Sequence, residues 1–121
     1  MEVFYLDSYA IIEIVKGNKN YEKYKGAKFI TSKVNLFEVH YKLLREDGLE
    51  LANSVVRSCQ KFVIDFDVKD IIEGSKFKLR EKERKLAMAD CLGYVIARNN
   101  DARFLTGDKE FKDLENVEFV K

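Results

Sequence analysis

The chain has 121 residues, enough to bury about two thirds of its unfolded surface, so it needs neither a disulfide nor a structural metal to fold. Its formal net charge of +1 gives no overall sign of nucleic-acid binding. Cys59 and Cys91 are far apart in apolar patterns, and no apolar run approaches about 18 residues. We therefore expect a single cytoplasmic domain over residues 1–121, in a reducing compartment and without a membrane segment.

Segments with the composition of buried strands alternate with helical segments along the chain. In chain order, the predicted strands cover residues 3–6, 27–31, 62–66, 103–106 and 117–120. The helices predicted between them cover residues 9–17, 18–26, 33–45, 52–59, 67–79 and 85–99. A short helical turn is expected around Phe111, before the last strand.

Two of these helices carry long apolar stripes, which predicts that those faces pack against the core. In the helix over 33–45, the stripe consists of Val34, Phe37, Tyr41 and Leu44. In the helix over 67–79, it consists of Val68, Ile71, Ile72, Ser75 and Leu79. Ser32 and Asp67 precede these helices and are expected to cap their first turns.

Strands separated by helices are typical of an α/β fold, in which helices cover both faces of a parallel sheet. In such sheets, ligands bind beyond the carboxyl ends of the strands, at the point where the strand order reverses. Functional side chains are therefore expected at that edge of the sheet.

Two carboxylates stand directly after predicted strands. Asp7 follows residues 3–6, and Asp108 follows residues 103–106 in "FLTGDKEF". If these strands are neighbours at the reversal, both side chains face one crevice. Each also has an ordinary structural explanation, because Asp7 can cap the next helix and Asp108 can stabilise a turn beside Gly107.

Two further acids lie on helices. Asp90, in "LAMADCLGYVIA", has small and apolar neighbours on its helical face, an environment that penalises a carboxylate without a cation. An ion pair with Arg or Lys is the alternative explanation. Glu38, in "TSKVNLFEVHYKLL", lies at the edge of the apolar stripe, either as a half-buried residue or as a surface residue with a long stem.

Acids gathered in one pocket repel one another, by roughly 3–4 kcal/mol for two unit charges about 4–5 Å apart at an effective dielectric constant of about 20. Such a pocket needs a cation. Carboxylates without His or Cys favour Mg²⁺ or Mn²⁺ over zinc. His40 does not supply a zinc ligand, since its position two residues after Glu38 points it to nearly the opposite side of the helix.

Four segments, in this order and spacing, resemble those of the PIN-domain nucleases, and of the single-domain VapC-like toxin branch in particular: "VFYLDSYAII", "TSKVNLFEV", "LAMADCLGYVIA" and "FLTGDKEF". The resemblance covers essentially the whole chain. It implies a three-layer α/β/α fold whose central parallel sheet has four to five strands in the order 3-2-1-4-5. The catalytic, metal-binding residues that it implies are Asp7, Glu38, Asp90 and Asp108. Ser8 and Thr106 match the hydroxyl positions that support them.

The resemblance further implies endonucleolytic cleavage of RNA that depends on Mg²⁺ or Mn²⁺, with one or two ions. Toxins of this branch usually form homodimers and are inhibited by a cognate antitoxin protein, which places a basic side chain in the acidic pocket. We therefore expect the cytoplasmic toxin of a type II toxin–antitoxin pair, with an RNA substrate and no membrane association. The sequence does not identify the residues that contact RNA.

Other functions fit the pattern in part. A non-catalytic PIN domain that binds RNA or a partner protein usually lacks one of the acids, whereas this chain keeps all four. A PIN nuclease of RNA processing would need no antitoxin. A phosphatase typically has a second Asp two residues after the first, where this chain has Tyr9. A phospho-acceptor domain could use Asp65 or Asp67, but the usual acidic pair after the first strand is missing.

Overall fold

The computed structural model describes residues 2–121. These residues include one four-stranded sheet. Its strands are Val3–Leu6 (β1), Lys28–Ile30 (β2), Arg103–Thr106 (β3) and Val117–Phe119 (β4). All neighbouring pairs are parallel, and the order across the sheet is β2-β1-β3-β4. The α/β class is therefore confirmed. The order reverses between β1 and β3, so the carboxyl ends of these strands form the edge at which ligands bind in such sheets.

Five α-helices accompany the sheet within residues 2–121: Ser8–Val15 (α1), Lys33–Asp47 (α2), Leu49–Cys59 (α3), Val68–Arg80 (α4) and Met88–Asn99 (α5). The polar helix predicted over 18–26 is a 3₁₀ helix, Lys19–Tyr24, and further 3₁₀ turns cover Gln60–Phe62 and Lys109–Phe111. None of the helices in the described part of the chain is long and apolar enough to cross a membrane.

The helices cover both faces of the sheet, which confirms the three-layer arrangement. On one face, α1, α2 and α3 enclose a core that includes Leu43 and Val55. On the other face, α4 and α5 enclose a core that includes Phe77. The two free cysteines are buried, Cys59 in the first core and Cys91 in the second, as expected of small packing residues.

The prediction of a strand over residues 62–66 is wrong. Here the chain makes one isolated parallel bridge, between Val63 and the residue that follows β2, Thr31. Two backbone hydrogen bonds of 2.9 Å join Thr31 to the residues on either side of Val63. The chain then leaves the sheet because Asp67 caps α4. The bridge occupies the place that the predicted order gives to the third strand, so the sheet has four strands and one bridge.

The apolar stripes predicted to pack against the core lie on the surface instead. On α2, Phe37 is 79% exposed and Tyr41 is 56% exposed. On α4, Val68 and Leu79 are also largely exposed. The faces that meet the core carry other residues: Asn35, Leu36, Val39 and Leu43 on α2, and Gly74 and Phe77 on α4. The predicted helices are present, but each is rotated relative to the expected orientation.

Gly93 allows α5 to lie close to β1 and α2. A Cβ atom placed there would come within 2.8 Å of Cε1 of Tyr5 and within 2.9 Å of Oδ1 of Asn35. Both neighbours are fully buried, so neither can move without disturbing the packing around it. The missing side chain is therefore what brings the first turns of α5 next to the carboxyl edge of the sheet.

We predict that Gly93→Ala destabilises the protein by about 1–2 kcal/mol, because overpacking of about 2–3 kcal/mol outweighs a gain in helix propensity of about 1 kcal/mol. Urea unfolding followed by circular dichroism measures this free energy. Gly74→Ala on α4 is the matched control, since its new Cβ would lie 3.3 Å from its nearest neighbour, Cα of Leu92, and a smaller loss is expected. A Gly93→Ala protein as stable as the parent would contradict the close approach of α5.

Candidate metal centre

Asp7 lies at the carboxyl end of β1 and is 1% exposed. Its Oδ1 accepts a hydrogen bond of 2.8 Å from the backbone N–H of Ala10, so the side chain does cap α1. Its Oδ2 accepts a hydrogen bond from the hydroxyl of Thr106, at the end of β3. Asp7 is therefore held from both sides of the point where the sheet order reverses.

Asp108 is half-buried and follows the end of β3. Its Oδ1 accepts a hydrogen bond of 3.0 Å from the N–H of Glu110 and so caps a 3₁₀ turn. Asp108 therefore does stabilise a turn, as the structural alternative for this residue predicted. Its own N–H donates to Oγ1 of Thr106 at 3.0 Å. Thr106 thus accepts a bond from Asp108 while it donates one to Asp7. One hydroxyl links the acids that follow the two central strands.

The helix that carries Asp90 is shorter than predicted. It begins at Met88 because residues 81–87 are held outside it by Arg84, whose guanidinium lies 2.8 Å from the Asp113 carboxylate. Asp90 therefore lies in the first turn of α5 rather than in the middle of the helix. In the first turn, the free N–H groups of the helix favour a negative charge. Asp90 is 7% exposed, and no Arg or Lys of residues 2–121 forms an ion pair with it.

A buried asparagine on α2, absent from the sequence-based prediction, joins the acids to the sheet. Oδ1 of Asn35 accepts a hydrogen bond of 2.6 Å from the hydroxyl of Tyr5. Its Nδ2 donates to Oγ of Ser8 at 3.0 Å and to Oδ1 of Asp90 at 3.4 Å. Ser32 occupies the N-cap position of α2 but does not cap it, because its hydroxyl bonds that of Tyr5 at 2.7 Å. This network fixes Ser8 and Asp90 relative to β1.

Glu38 lies three residues after Asn35 on α2 and is half-buried, as one of the two sequence expectations had it. Residues three apart on a helix are neighbours, so Glu38 lies next to the asparagine that contacts Asp90. His40 faces α3 instead, where its Nε2 forms a hydrogen bond of 2.8 Å with Oδ1 of Asn53. The histidine therefore lies away from the acids, as expected from its position on the helix.

Burial and mutual repulsion raise the pKa values of the two most buried acids. Burial is the main cause that raises the pKa of Asp90 to about 7, and the negative charges of Glu38 and Asp108 raise it further. Burial also raises the pKa of Asp7 well above its usual value, followed in importance by the charge of Asp90. The charge of Asp108 acts on Asp7 as well. The charges of Glu38 and Asp108 thus act on Asp90, and those of Asp90 and Asp108 act on Asp7, so the four acids lie near one another rather than on opposite sides of the molecule.

In this arrangement no three His, Cys, Asp or Glu side chains among residues 2–121 are close enough together to hold a metal ion. Repulsion between carboxylates opposes their closer approach. A divalent ion held by several of these carboxylates would require them to come closer together. The donor set fits a hard cation such as Mg²⁺ or Mn²⁺, because it contains carboxylates only and residues 2–121 offer Asp90 no ion-pair partner.

A family model of the PIN domain matches residues 4–117. The chain belongs to the PIN-domain family. The match includes both central strands, the helix that carries Glu38 and the helix that carries Asp90. No curated protein sequence matches this PIN domain.

Solved structures of VapBC complexes and VapC toxins have the same fold. DNA-bound VapBC from Salmonella typhimurium is 18% identical, with a TM-score of 0.72 over 99% of this chain and 98% of that one. VapBC2 from Rickettsia felis, bound to a DNA fragment from its promoter, is 19% identical, with a TM-score of 0.71 over 98% and 97%. VapC20 from Mycobacterium tuberculosis, a sarcin-ricin loop cleaving toxin, is 15% identical, with a TM-score of 0.75 over 94% and 98%.

We predict that the metal-free protein loses stability as the pH rises from about 4 to about 7, by up to about 1.4 kcal/mol per pH unit. The reason is that Asp90 keeps its proton in the folded state over this range and has lost it in the unfolded state. Chemical unfolding in EDTA at about pH 5 and about pH 8 measures the difference.

Asp90→Asn should remove this contribution and exceed the parent in stability at the higher pH. Glu50→Gln removes an exposed carboxylate from α3 and should leave the pH dependence unchanged. Equal pH dependence in the parent and in Asp90→Asn would show that Asp90 does not carry the repulsion.

Proposed function

We propose that the protein is an endoribonuclease that hydrolyses RNA phosphodiester bonds with Mg²⁺ or Mn²⁺ held by Asp7, Glu38, Asp90 and Asp108. The observation that carries the proposal is the burial of two carboxylates, Asp7 and Asp90, at the carboxyl edge of the sheet without a basic partner in residues 2–121. Membership of the PIN-domain family supports it. A further support is the shared fold of VapC20, a toxin that cleaves the sarcin-ricin loop.

A divalent ion bound by these acids would supply the Lewis acidity that stabilises negative charge on the phosphate and activates water for attack. Asp7 is oriented in advance, because Thr106 and the first turn of α1 hold both of its oxygens. Asn35 orients Asp90 and places the Ser8 hydroxyl beside it. With a pKa of about 7, Asp90 gives up its proton near neutral pH. The ionised carboxylate that results is the form that binds a cation.

We further propose that the protein is a cytoplasmic toxin inhibited by an antitoxin protein. The similar structures from Salmonella typhimurium and Rickettsia felis are VapBC complexes, which supports a partner of this kind. A basic side chain from such a partner would relieve the repulsion among the buried acids and occupy the place of the ion. The alternative is a PIN nuclease of RNA processing that needs no antitoxin. Expression of such a nuclease alone would not arrest growth, whereas expression of a toxin without its antitoxin would.

We predict that the purified protein cleaves total RNA in millimolar Mg²⁺ or Mn²⁺ and not in EDTA. Asp7→Asn and Asp90→Asn should lower the cleavage rate by more than about 100-fold, beyond the 10- to 100-fold loss typical of groups that only support a metal ligand. Both variants should retain the circular dichroism spectrum of the parent, because asparagine keeps the size of aspartate and one of its two acceptor oxygens.

Asp65→Asn is the control for this experiment, since Asp65 is an exposed carboxylate in the segment between the sheet edge and α4. It should retain the parent's rate. Cleavage that persists in EDTA, or in the Asp90→Asn protein, would contradict the metal-dependent mechanism.

We also propose that the protein forms a homodimer through the exposed apolar surface of α2 and α4. Val34 of α2, Ile71 of α4 and Met88 of α5 line a shared groove of about 350 Å³. Next to this groove on α2, Phe37 and Tyr41 are exposed as well. A contiguous apolar surface of this kind is unusual on a monomer and marks an interaction site. A second copy of the protein would bury these two exposed apolar stripes, as their composition predicts.

Ile71→Glu tests this interface. Light scattering during size-exclusion chromatography should give the parent about twice the monomer mass of 14.1 kDa, and the Ile71→Glu variant the monomer mass, because the interface cannot bury an unpaired charge. Leu51→Glu places the same charge on a partly exposed position of α3 and should leave the dimer intact. A monomeric parent, or a dimeric Ile71→Glu variant, would exclude this interface.

A further inference from the structure

Lys42 is a half-buried lysine on α2, in line with the residues of the acidic pocket. Asn35, Glu38 and Lys42 occupy positions i, i+3 and i+7, which lie in one row along the face of an α-helix. Asn35 contacts Asp90 at one end of this row, and Glu38 is half-buried in the middle. Lys42 therefore lies on the same helical face as Asn35 and Glu38, one helical turn beyond Glu38.

Lys42 has acidic neighbours on both sides and forms an ion pair with neither of them. Glu38 precedes it by one turn and Glu46 follows it by one turn, yet no ion pair in residues 2–121 includes Lys42. Glu46 is instead bound to Arg45 at 3.0 Å. Lys42 does act at longer range, since its positive charge lowers the pKa of Asp90. The ammonium group of Lys42 thus lacks a counter-ion within 4.0 Å among residues 2–121.

We propose that Lys42 binds a phosphate group of the RNA strand at the mouth of the acidic pocket. The inference rests on the proposed ribonuclease function and adds to it the residue that attracts the strand. The pocket itself is negatively charged and repels nucleic acid, so a cation at its rim is needed to bring a phosphate near the carboxylates. A lysine suits this role because its ammonium is a compact point charge on a flexible stem that phosphate can approach from several directions.

A different role for Lys42 is only to balance the charge of the acids. The two roles differ in the effect that removing the ammonium group has on strand binding. If Lys42 binds phosphate, its loss weakens strand binding while Mn²⁺ binds at least as tightly, because a repelling positive charge has been removed. If Lys42 only balances charge, its loss leaves strand binding no weaker than the loss of any other lysine.

The test compares Lys42→Met with Lys42→Arg and with Lys76→Met, which removes the same charge from an exposed position of α4. Fluorescence anisotropy measures the affinity for a labelled single-stranded DNA of about ten nucleotides in Mn²⁺ at several KCl concentrations, since DNA carries the same phosphates. Calorimetry measures Mn²⁺ affinity, and RNA cleavage gives kcat and KM.

Lys42→Met should weaken strand binding three- to tenfold more than Lys76→Met and reduce the slope of log K against log[KCl] by about 0.7. Lys42→Arg should retain most of the affinity, and Mn²⁺ affinity should be unchanged or higher in Lys42→Met. In cleavage, KM should rise with kcat nearly unchanged, because the contact forms in the bound strand before and during reaction.

The inference is overturned if Lys42→Met weakens strand binding no more than Lys76→Met, or if it loses strand and Mn²⁺ affinity together, as a damaged fold would. A parent protein that does not cleave RNA would refute the proposed function, and strand binding would still decide whether Lys42 holds a phosphate. A parent that cleaves RNA, with a Lys42→Met variant of unchanged KM, would leave the ribonuclease function standing and remove the role of Lys42.

Discussion

Two carboxylates buried where the strand order reverses are the feature on which the rest of the site depends. Burial opposes the ionisation of Asp7 and Asp90. The charge of Asp90 raises the pKa of Asp7 further, and the charges of Glu38 and Asp108 raise that of Asp90, so the metal-free fold carries an electrostatic penalty. The parallel sheet places Asp7 there because β1 ends at the centre of its edge, and Gly93 places Asp90 there because it lets α5 approach Tyr5. Strongly perturbed acids in a cleft are typical of functional sites.

The positions of the strand-end acids could be predicted from the sequence because they follow from local patterns. A buried strand that ends in Asp7 or Asp108 places its carboxylate at the sheet edge whatever the surrounding topology. Asp90 was recognisable by its apolar neighbours, although the start of its helix was not, since Arg84 holds the preceding residues through contacts that are distant in sequence. Asn35 could not be predicted, because its role depends on partners from β1, α1 and α5 that only the fold brings together.

Helical periodicity predicted which segments are helices better than it predicted which face of each helix is buried. On α2, apolar residues occupy two faces at helical spacing, and the sequence alone does not rank the stripe of Phe37 and Tyr41 below that of Val39 and Leu43. The strand predicted over 62–66 is reduced to a bridge because the chain turns into α4 at its cap, Asp67, soon after Val63. Because the face with Phe37 and Tyr41 is exposed, α2 carries Asn35 and Glu38 on one side and the proposed dimer surface on an adjacent side.

The most direct test of the account is a calorimetric titration of the metal-free protein with Mn²⁺ near neutral pH, in two buffers of different ionisation enthalpy. The account predicts binding that releases a proton, since Asp90 must ionise, together with a rise in Tm that follows from binding to the folded state alone. Asp90→Asn should bind Mn²⁺ far more weakly and release no proton. If the parent shows neither heat nor a Tm shift at millimolar Mn²⁺, or if Asp90→Asn binds as the parent does, the buried acids do not form a metal site.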